Sequence, residues 1–172
     1  MRAVVVFESM FGNTRLVAER VARGLSAAGE VDVLPVGEAT SEALDGVDLL
    51  VVGGPTHVHG MTTPRTRDAA HEQSHRPDAS VTLDPEAEGP GLREWFDRLT
   101  IPAGCRAAAF DTRARGPAVL TGRASKGIAK RLDHHGATLV AQSESFLVDR
   151  ENRLVAGEAS RAEAWGKDLL RN

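Results

Sequence analysis

Ser9, Asn13 and Thr14 bring two hydroxyls and an amide into a short turn, Ser9-Met10-Phe11-Gly12-Asn13-Thr14, that contains a glycine and no lysine. The run Ala3-Val4-Val5-Val6-Phe7 precedes it, and Leu16, Val17, Val21 and Leu25 follow at helical spacing. Strand, turn, helix aims free backbone N–H groups and the positive end of the helix at an anion. A triphosphate loop would need Gly-x-x-x-x-Gly-Lys-[Ser/Thr], and a dinucleotide loop Gly-x-Gly-x-x-Gly; neither occurs. The residue types suit a terminal phosphomonoester held by Ser9, Met10, Phe11, Gly12, Asn13 and Thr14. The same residues also read as an ordinary Asn or Thr helix cap.

Two further clusters carry chemistry-bearing side chains. His57 and His59 stand two apart in Gly53-Gly54-Pro55-Thr56-His57-Val58-His59-Gly60-Met61, so in an extended loop they point the same way. A histidine so placed can pass protons near neutral pH. His71-Glu72-Gln73-Ser74-His75 matches the His-Glu-x-x-His pattern of zinc hydrolases. That helix would be short, bounded by Pro64 and Pro77, and set in a polar stretch away from any cleft. A solvated helical turn explains it, and no metal site is expected.

The elements that must position these residues follow from periodicity. Residues 3–7, 30–35, 48–53, 105–110 and 137–148 read as strands, the last bent around 142–145. Helices are expected from the turn to Gly29, weakly over 41–44, and over 92–99, 123–135 and 158–170. Residues 111–120 read as a loop. Trp95 falls on an apolar stripe with Leu92, Phe96 and Leu99, which places it in the core. Residues 62–91 are too long for an ordinary connection. Their first part reads as a brief helix stopped by Pro77, the rest is rich in Pro, Gly and carboxylates, and residues 62–91 together are expected to be a mobile insertion. The chain reads as one domain with no internal repeat.

The first turn, Ser-x-Phe-Gly-Asn-Thr after strand one, resembles the flavin mononucleotide (FMN) phosphate loop of flavodoxins. Gly-x-Pro-Thr after strand three resembles the isoalloxazine loop of flavodoxins and flavodoxin-like quinone reductases. The resemblance implies a flavodoxin-like α/β fold: a doubly wound five-stranded parallel sheet in the order 2-1-3-4-5, with helices on both faces. Both loops then meet at the crevice where strand order reverses. It further implies that Pro55, Thr56, His57, Val58, His59 and Gly60 border the ring, with Thr56 on its pyrimidine side. Gly60 would permit a peptide to turn with redox state. Asp111, Thr112 and Arg113 occupy the place of the third flavin loop, where Asp111 would accept from ring or ribose donors. One of the two histidines would stand in for the tyrosine that many flavodoxins stack on the flavin, because this chain has no tyrosine.

Composition narrows the function. The chain has 172 residues, one cysteine and a formal net charge of -3. It therefore has no internal disulfide. It has no apolar run long enough to span a bilayer and no signal-like start, so a soluble cytoplasmic protein with no membrane or nucleic-acid partner is expected. Electron-carrier flavodoxins are typically more acidic. Residues 106–131 hold seven basic side chains and one acid, and residues 78–97 hold six acids and one basic side chain. These patches read either as solvated surface or as contacts to each other or to different partners. Two functions remain: an FMN redox protein exchanging electrons with a partner protein or a small quinone-like acceptor, or a flavodoxin-like module that has lost its flavin and serves interaction. A phospho-receiver domain is disfavoured, because strand three ends in Gly53-Gly54 where a phosphate-accepting aspartate would stand.

Overall fold

The computed structural model describes residues 1–171. Strands β1 (Arg2–Phe7), β2 (Glu30–Pro35), β3 (Leu49–Pro55), β4 (Arg106–Ala114), β5 (Thr138–Leu139) and β6 (Glu144–Val148) form one parallel sheet in the order β2-β1-β3-β4-β5. β6 also pairs with β4, so the expected fifth strand is split in two along the same neighbour. The expected order and the parallel sense are therefore present, with the bend over 142–145 realised as a break.

Period-2 alternation divides the sheet's side chains between two cores. Val4, Val6, Leu50, Val52, Ala107 and Ala109 face helices α3 (Leu92–Phe96) and α5 (Ala124–His134). Ala3, Val5, Phe7, Val51 and Phe110 face α1 (Asn13–Leu25) and α6 (Glu158–Asp168). Both faces are covered, which is why β1 and β3 read as continuous apolar runs. α1 and α6 meet through small residues: a Cβ on Gly166 would lie 2.4 Å from the Val21 carbonyl oxygen. Trp95 lies in the core, with its Nε1 donating to the Ala39 carbonyl at 2.6 Å.

Several boundaries differ from expectation for local reasons. Residues 41–46 form turns rather than a helix; Leu44 is buried there, but too few residues follow to nucleate one. β4 runs on to Ala114 because its register with β3 continues through Gly54↔Asp111 and Pro55↔Thr112. A short helix, α4 (Ala118–Thr121), follows it where a loop is expected. The insertion forms α2 (Pro64–Ser74), capped by reciprocal bonds between Thr63 and Thr66. His75 ends that helix, with its Nδ1 2.8 Å from the His71 carbonyl oxygen. Among the described residues no helix is long and apolar enough to cross a membrane.

Candidate functional site

The first turn is shaped by Gly12, whose φ of 91° is left-handed and suits a residue without Cβ. Its N–H donates to the Ser9 Oγ at 3.1 Å, closing the turn on itself. Gly12 O then accepts from Leu16 N and starts α1. Among the described residues, the N–H groups of Met10, Phe11, Asn13, Thr14 and Arg15 donate to no protein acceptor. Those of Asn13, Thr14 and Arg15 are the orphan donors that every helix start leaves open.

Asn13 and Thr14 line a cleft of about 330 Å3 at the carboxyl ends of β1, β3, β4 and β6. The cleft gathers Met10, Phe11, Asn13 and Thr14 from the first turn, Pro55, Thr56 and His57 from the second, and Thr112 and Arg113 from β4. Thr14 and Thr112 share a hydroxyl hydrogen bond of 2.8 Å across the floor. Asn13 reaches over to Asn152, its Nδ2 donating to the backbone carbonyl at 3.0 Å. Thr56 Oγ1 accepts from Ala124 N at 2.9 Å, which caps α5 and leaves the hydroxyl proton free to donate into the cleft.

The remaining expected site residues lie elsewhere. Ser9 is buried outside the cleft; its hydroxyl serves Gly12 and also hydrogen-bonds Asp84. Asp111 is fully buried, and its Oδ2 accepts from Ser125 N at 2.8 Å at the start of α5, so it organises that helix rather than the cleft. His57 and His59 do not face together. His57 N donates to Gly60 O at 2.8 Å and Gly60 N to His57 O at 3.1 Å, closing a tight turn with left-handed Val58 (φ 46°) and His59 (φ 71°) at its centre. The turn sends His57 to the cleft and His59, with Gly60, to a groove on the other side, while Val58 projects into solvent. Both polar backbone atoms of Gly60 are thus engaged, and the backbone strain sits on Val58 and His59. Burial holds the His57 pKa below its ordinary range, so its imidazole is neutral at pH 7.

Sequence reasoning missed Val148, Asp149, Arg150 and Asn152, which form the fourth wall. The rule that ligands sit outside the carboxyl ends of the strands pointed to the turn after the last strand as well. Asp149 is paired with Arg153 at 3.3 Å, whereas Arg150 forms no ion pair among the described residues. Arg113 is held through Nη1 by the Gly116 carbonyl at 2.8 Å and by Thr121 Oγ1 at 3.0 Å; its buried Nε has no partner.

The insertion reaches the same turn from behind. Asp84 N donates to Met10 O at 2.8 Å, and Met10 packs with Ala70 and Ala87. The Asp84 carboxylate pairs with Arg15, whose Nε donates to Oδ2 at 2.9 Å and whose Nη2 lies closer still to Oδ1. Burial alone would raise the Asp84 pKa, but the hydrogen bonds from Arg15, Glu86 N and Ser9 outweigh it and hold it low.

A phosphomonoester fits this cradle: unpartnered helix-start N–H groups, a glycine that clears the approach, and hydroxyl and amide side chains at the mouth. The nearby carboxylates are both paired, Asp84 with Arg15 and Asp149 with Arg153. From this cradle the cleft continues between Pro55–His57 and Val148–Asn152, over a floor that carries the Thr14–Thr112 hydroxyl pair.

The family model for flavodoxin matches residues 5–83. No curated protein matches the chain. Among solved structures, the chain is similar to a flavodoxin from the domain Archaea, at 19% identity over 99% of this chain and 97% of that one, with a TM-score of 0.67. It is similar to flavodoxin 1 from Bacillus cereus, at 17% identity over 100% and 99%, with a TM-score of 0.69. It is also similar to the flavodoxin, WrbA-like protein from Agrobacterium tumefaciens, at 17% identity over 99% and 95%, with a TM-score of 0.60. The cradle turn lies inside the segment that the flavodoxin model matches, and over its whole length the chain shares the fold and strand order of these flavodoxins.

Proposed function

We propose that the chain binds FMN in this cleft and transfers electrons to or from a separate acceptor. The observation that carries this is the pair of unpartnered N–H groups at Asn13 and Thr14, on a cleft walled by the strand-end loops that flank the switch in strand order. Bound there, FMN supplies one- and two-electron redox chemistry. Asn13, Thr14 and the turn's backbone hold the phosphate; Pro55, Thr56 and His57 border one edge of the ring and Thr112 and Arg113 the other. Burial keeps His57 neutral, so at the ring edge it serves as a hydrogen-bonding group rather than a charge. The test is the visible spectrum of the purified protein titrated with FMN, where a perturbed flavin band with saturable stoichiometry is expected. Free-flavin spectra throughout would favour the module that has lost its cofactor.

Charge sets the direction of tuning. Arg113 and Arg150 face the cleft, and its one carboxylate, Asp149, is spent on Arg153. Neither arginine forms an ion pair among the described residues, and together they favour a ring that carries negative charge when reduced, which makes the bound flavin a weaker reductant suited to two-electron exchange with a small acceptor. Arg150→Gln removes one of them without touching a structural hydrogen bond. Its two-electron midpoint potential is expected to fall by on the order of 20 mV, the equivalent of roughly 1 kcal/mol for a charge lost near a half-exposed site. A redox titration showing no change in Arg150→Gln would count against this tuning.

For the insertion, we read residues 75–83 as the mobile part, suspended between capped α2 and the anchored Asp84. Hydrogen exchange is expected to be fast there and slow at Asp84 and Ala87. Uniform protection from 62 to 91 would contradict a mobile stretch.

A further inference from the structure

We propose that the outer rim of the cleft, made by Val58, Val119, Leu120 and the cationic side of α5, docks an acidic redox protein. Its role as an electron-transfer surface rests on the flavin reading; its existence as a docking surface does not. Exposed large apolar side chains are few among the described residues: Met1, Val58, Val119, Leu120 and Leu139. Three of these five belong to two adjoining segments, the turn at 57–60 and α4, with Val58 83%, Val119 86% and Leu120 68% exposed. The segments are joined where His59 bridges to Gly122, so closely that a Cβ on Gly122 would lie 2.2 Å from the His59 Cα. Apolar tips gathered at one edge beside a cofactor cleft are a contact surface rather than scattered exposure.

The charge around them selects the partner. Behind His59 runs a groove of about 530 Å3 lined by Arg93, Arg123, Lys130 and Arg131 and by no carboxylate. Arg93 donates to the Thr62 carbonyl at 2.8 Å, and Arg123 to Ser145 Oγ at 3.0 Å. These acceptors are neutral, so both guanidinium charges remain uncompensated. Arg131 has a carboxylate neighbour, Asp97, at 3.5 Å. Lys126 and Lys130, one helical turn apart on α5 and exposed, form no ion pair among the described residues. The one carboxylate of α5, Asp133, stands in its last turn, away from the cleft end. In a chain whose net charge is -3, this rim is locally positive, and an apolar centre with a cationic border complements a negatively charged protein surface.

Binding rather than electron transfer tests it, so that a failure of the flavin reading is separately visible. An acidic plant-type ferredoxin is the probe and basic cytochrome c the control, titrated calorimetrically against the protein with and without FMN. Ferredoxin is expected to bind, and to bind about tenfold more weakly when salt is raised from roughly 20 to 300 mM. The double change Lys126→Glu and Lys130→Glu is expected to weaken it about tenfold at low salt. The pair Val119→Ser and Leu120→Ser is expected to weaken it at both salts. None of these residues lines the cleft, so FMN titration of each variant should match the parent and show that each is folded. Ferredoxin binding that ignores both variant pairs, cytochrome c binding equally well, or capture by phosphatidylserine vesicles through these residues without ferredoxin binding would overturn the proposal. Absence of FMN binding in the parent would instead sink the functional reading and leave the docking result standing on its own.

Discussion

Replacing Thr14 and Ser9 together by alanine is expected to weaken FMN binding about 100-fold, the loss of one charge-assisted hydrogen bond plus a loosened turn. Riboflavin, which lacks the phosphate, should lose no more than about threefold. The two residues act differently. Thr14 is as buried as Ser9 but lines the cleft, and when Thr112 donates to it across the floor its own proton is free for a phosphate oxygen. Ser9 is buried and never faces the cleft; it holds the Gly12 N–H, and so fixes the left-handed glycine that points the next N–H groups outward. Thr14→Ala alone should therefore carry most of the discrimination, with Ser9→Ala adding by disordering the turn. Calorimetric titration of both ligands decides it. Equal losses for FMN and riboflavin would mean that the phosphate is not held here.

Glu8→Ala is expected to destabilise the fold by about 2–4 kcal/mol, because it leaves two buried donors without acceptors. Glu8 is 6% exposed at the end of β1; its Oε2 accepts from Leu92 N at 2.9 Å, and its Oε1 accepts a short hydrogen bond from Thr62. It thus ties both ends of the insertion to the first strand. Burial, the dominant cause, pushes its pKa above the ordinary 4.5 despite these bonds and the nearby Arg67. For a carboxyl whose folded pKa is raised, the unfolded chain releases its proton first. Stability from this group is therefore complete below 4.5 and declines as pH rises through the folded pKa. Glu8→Gln keeps a neutral acceptor and donor, so it should match the parent near pH 4.5 and exceed it at pH 8. Asp84 has the opposite sign: with its pKa held low, it contributes above 3.8 and loses that contribution only as the solution becomes more acidic. Chemical denaturation of the parent and Glu8→Gln across this range separates the two. Parallel pH profiles would show that Glu8 does not titrate as an isolated buried acid.

Much of this architecture was legible because it depends on local pattern. β1, β2 and β3 follow from β-branched runs, and α1, α5 and α6 from apolar spacing that the packed faces use directly. The place of the first turn between β1 and α1 was legible from residue type. What escaped depends on contacts distant in sequence. Nothing near Asp111 signals that Ser125 N would claim its carboxylate, and nothing near Ser9 signals Asp84. The separation of His57 from His59 escaped because the two-residue rule assumes an extended chain, whereas Val58 and His59 both adopt left-handed conformations that a β-branched residue rarely takes. Arg150 and Asn152 escaped because attention stayed on loops with a motif, although the topology directs every strand-end turn to the same crevice.

Asp84 belongs to two things at once. It is the seam by which the insertion closes on the first turn, and through Ser9 and Arg15 it braces the groups that shape the cradle. If the cradle holds FMN, then cofactor and insertion are thermodynamically linked, and the linkage is reciprocal: whatever free energy an ordered insertion lends to the ligand, the ligand lends back to the insertion. A protease that nicks this segment, or a partner that pulls it away, would then act as a negative effector of cofactor retention without touching the cleft. The apoprotein would be recognised by the looseness of a segment that, in sequence, lies about 70 residues from the turn it secures.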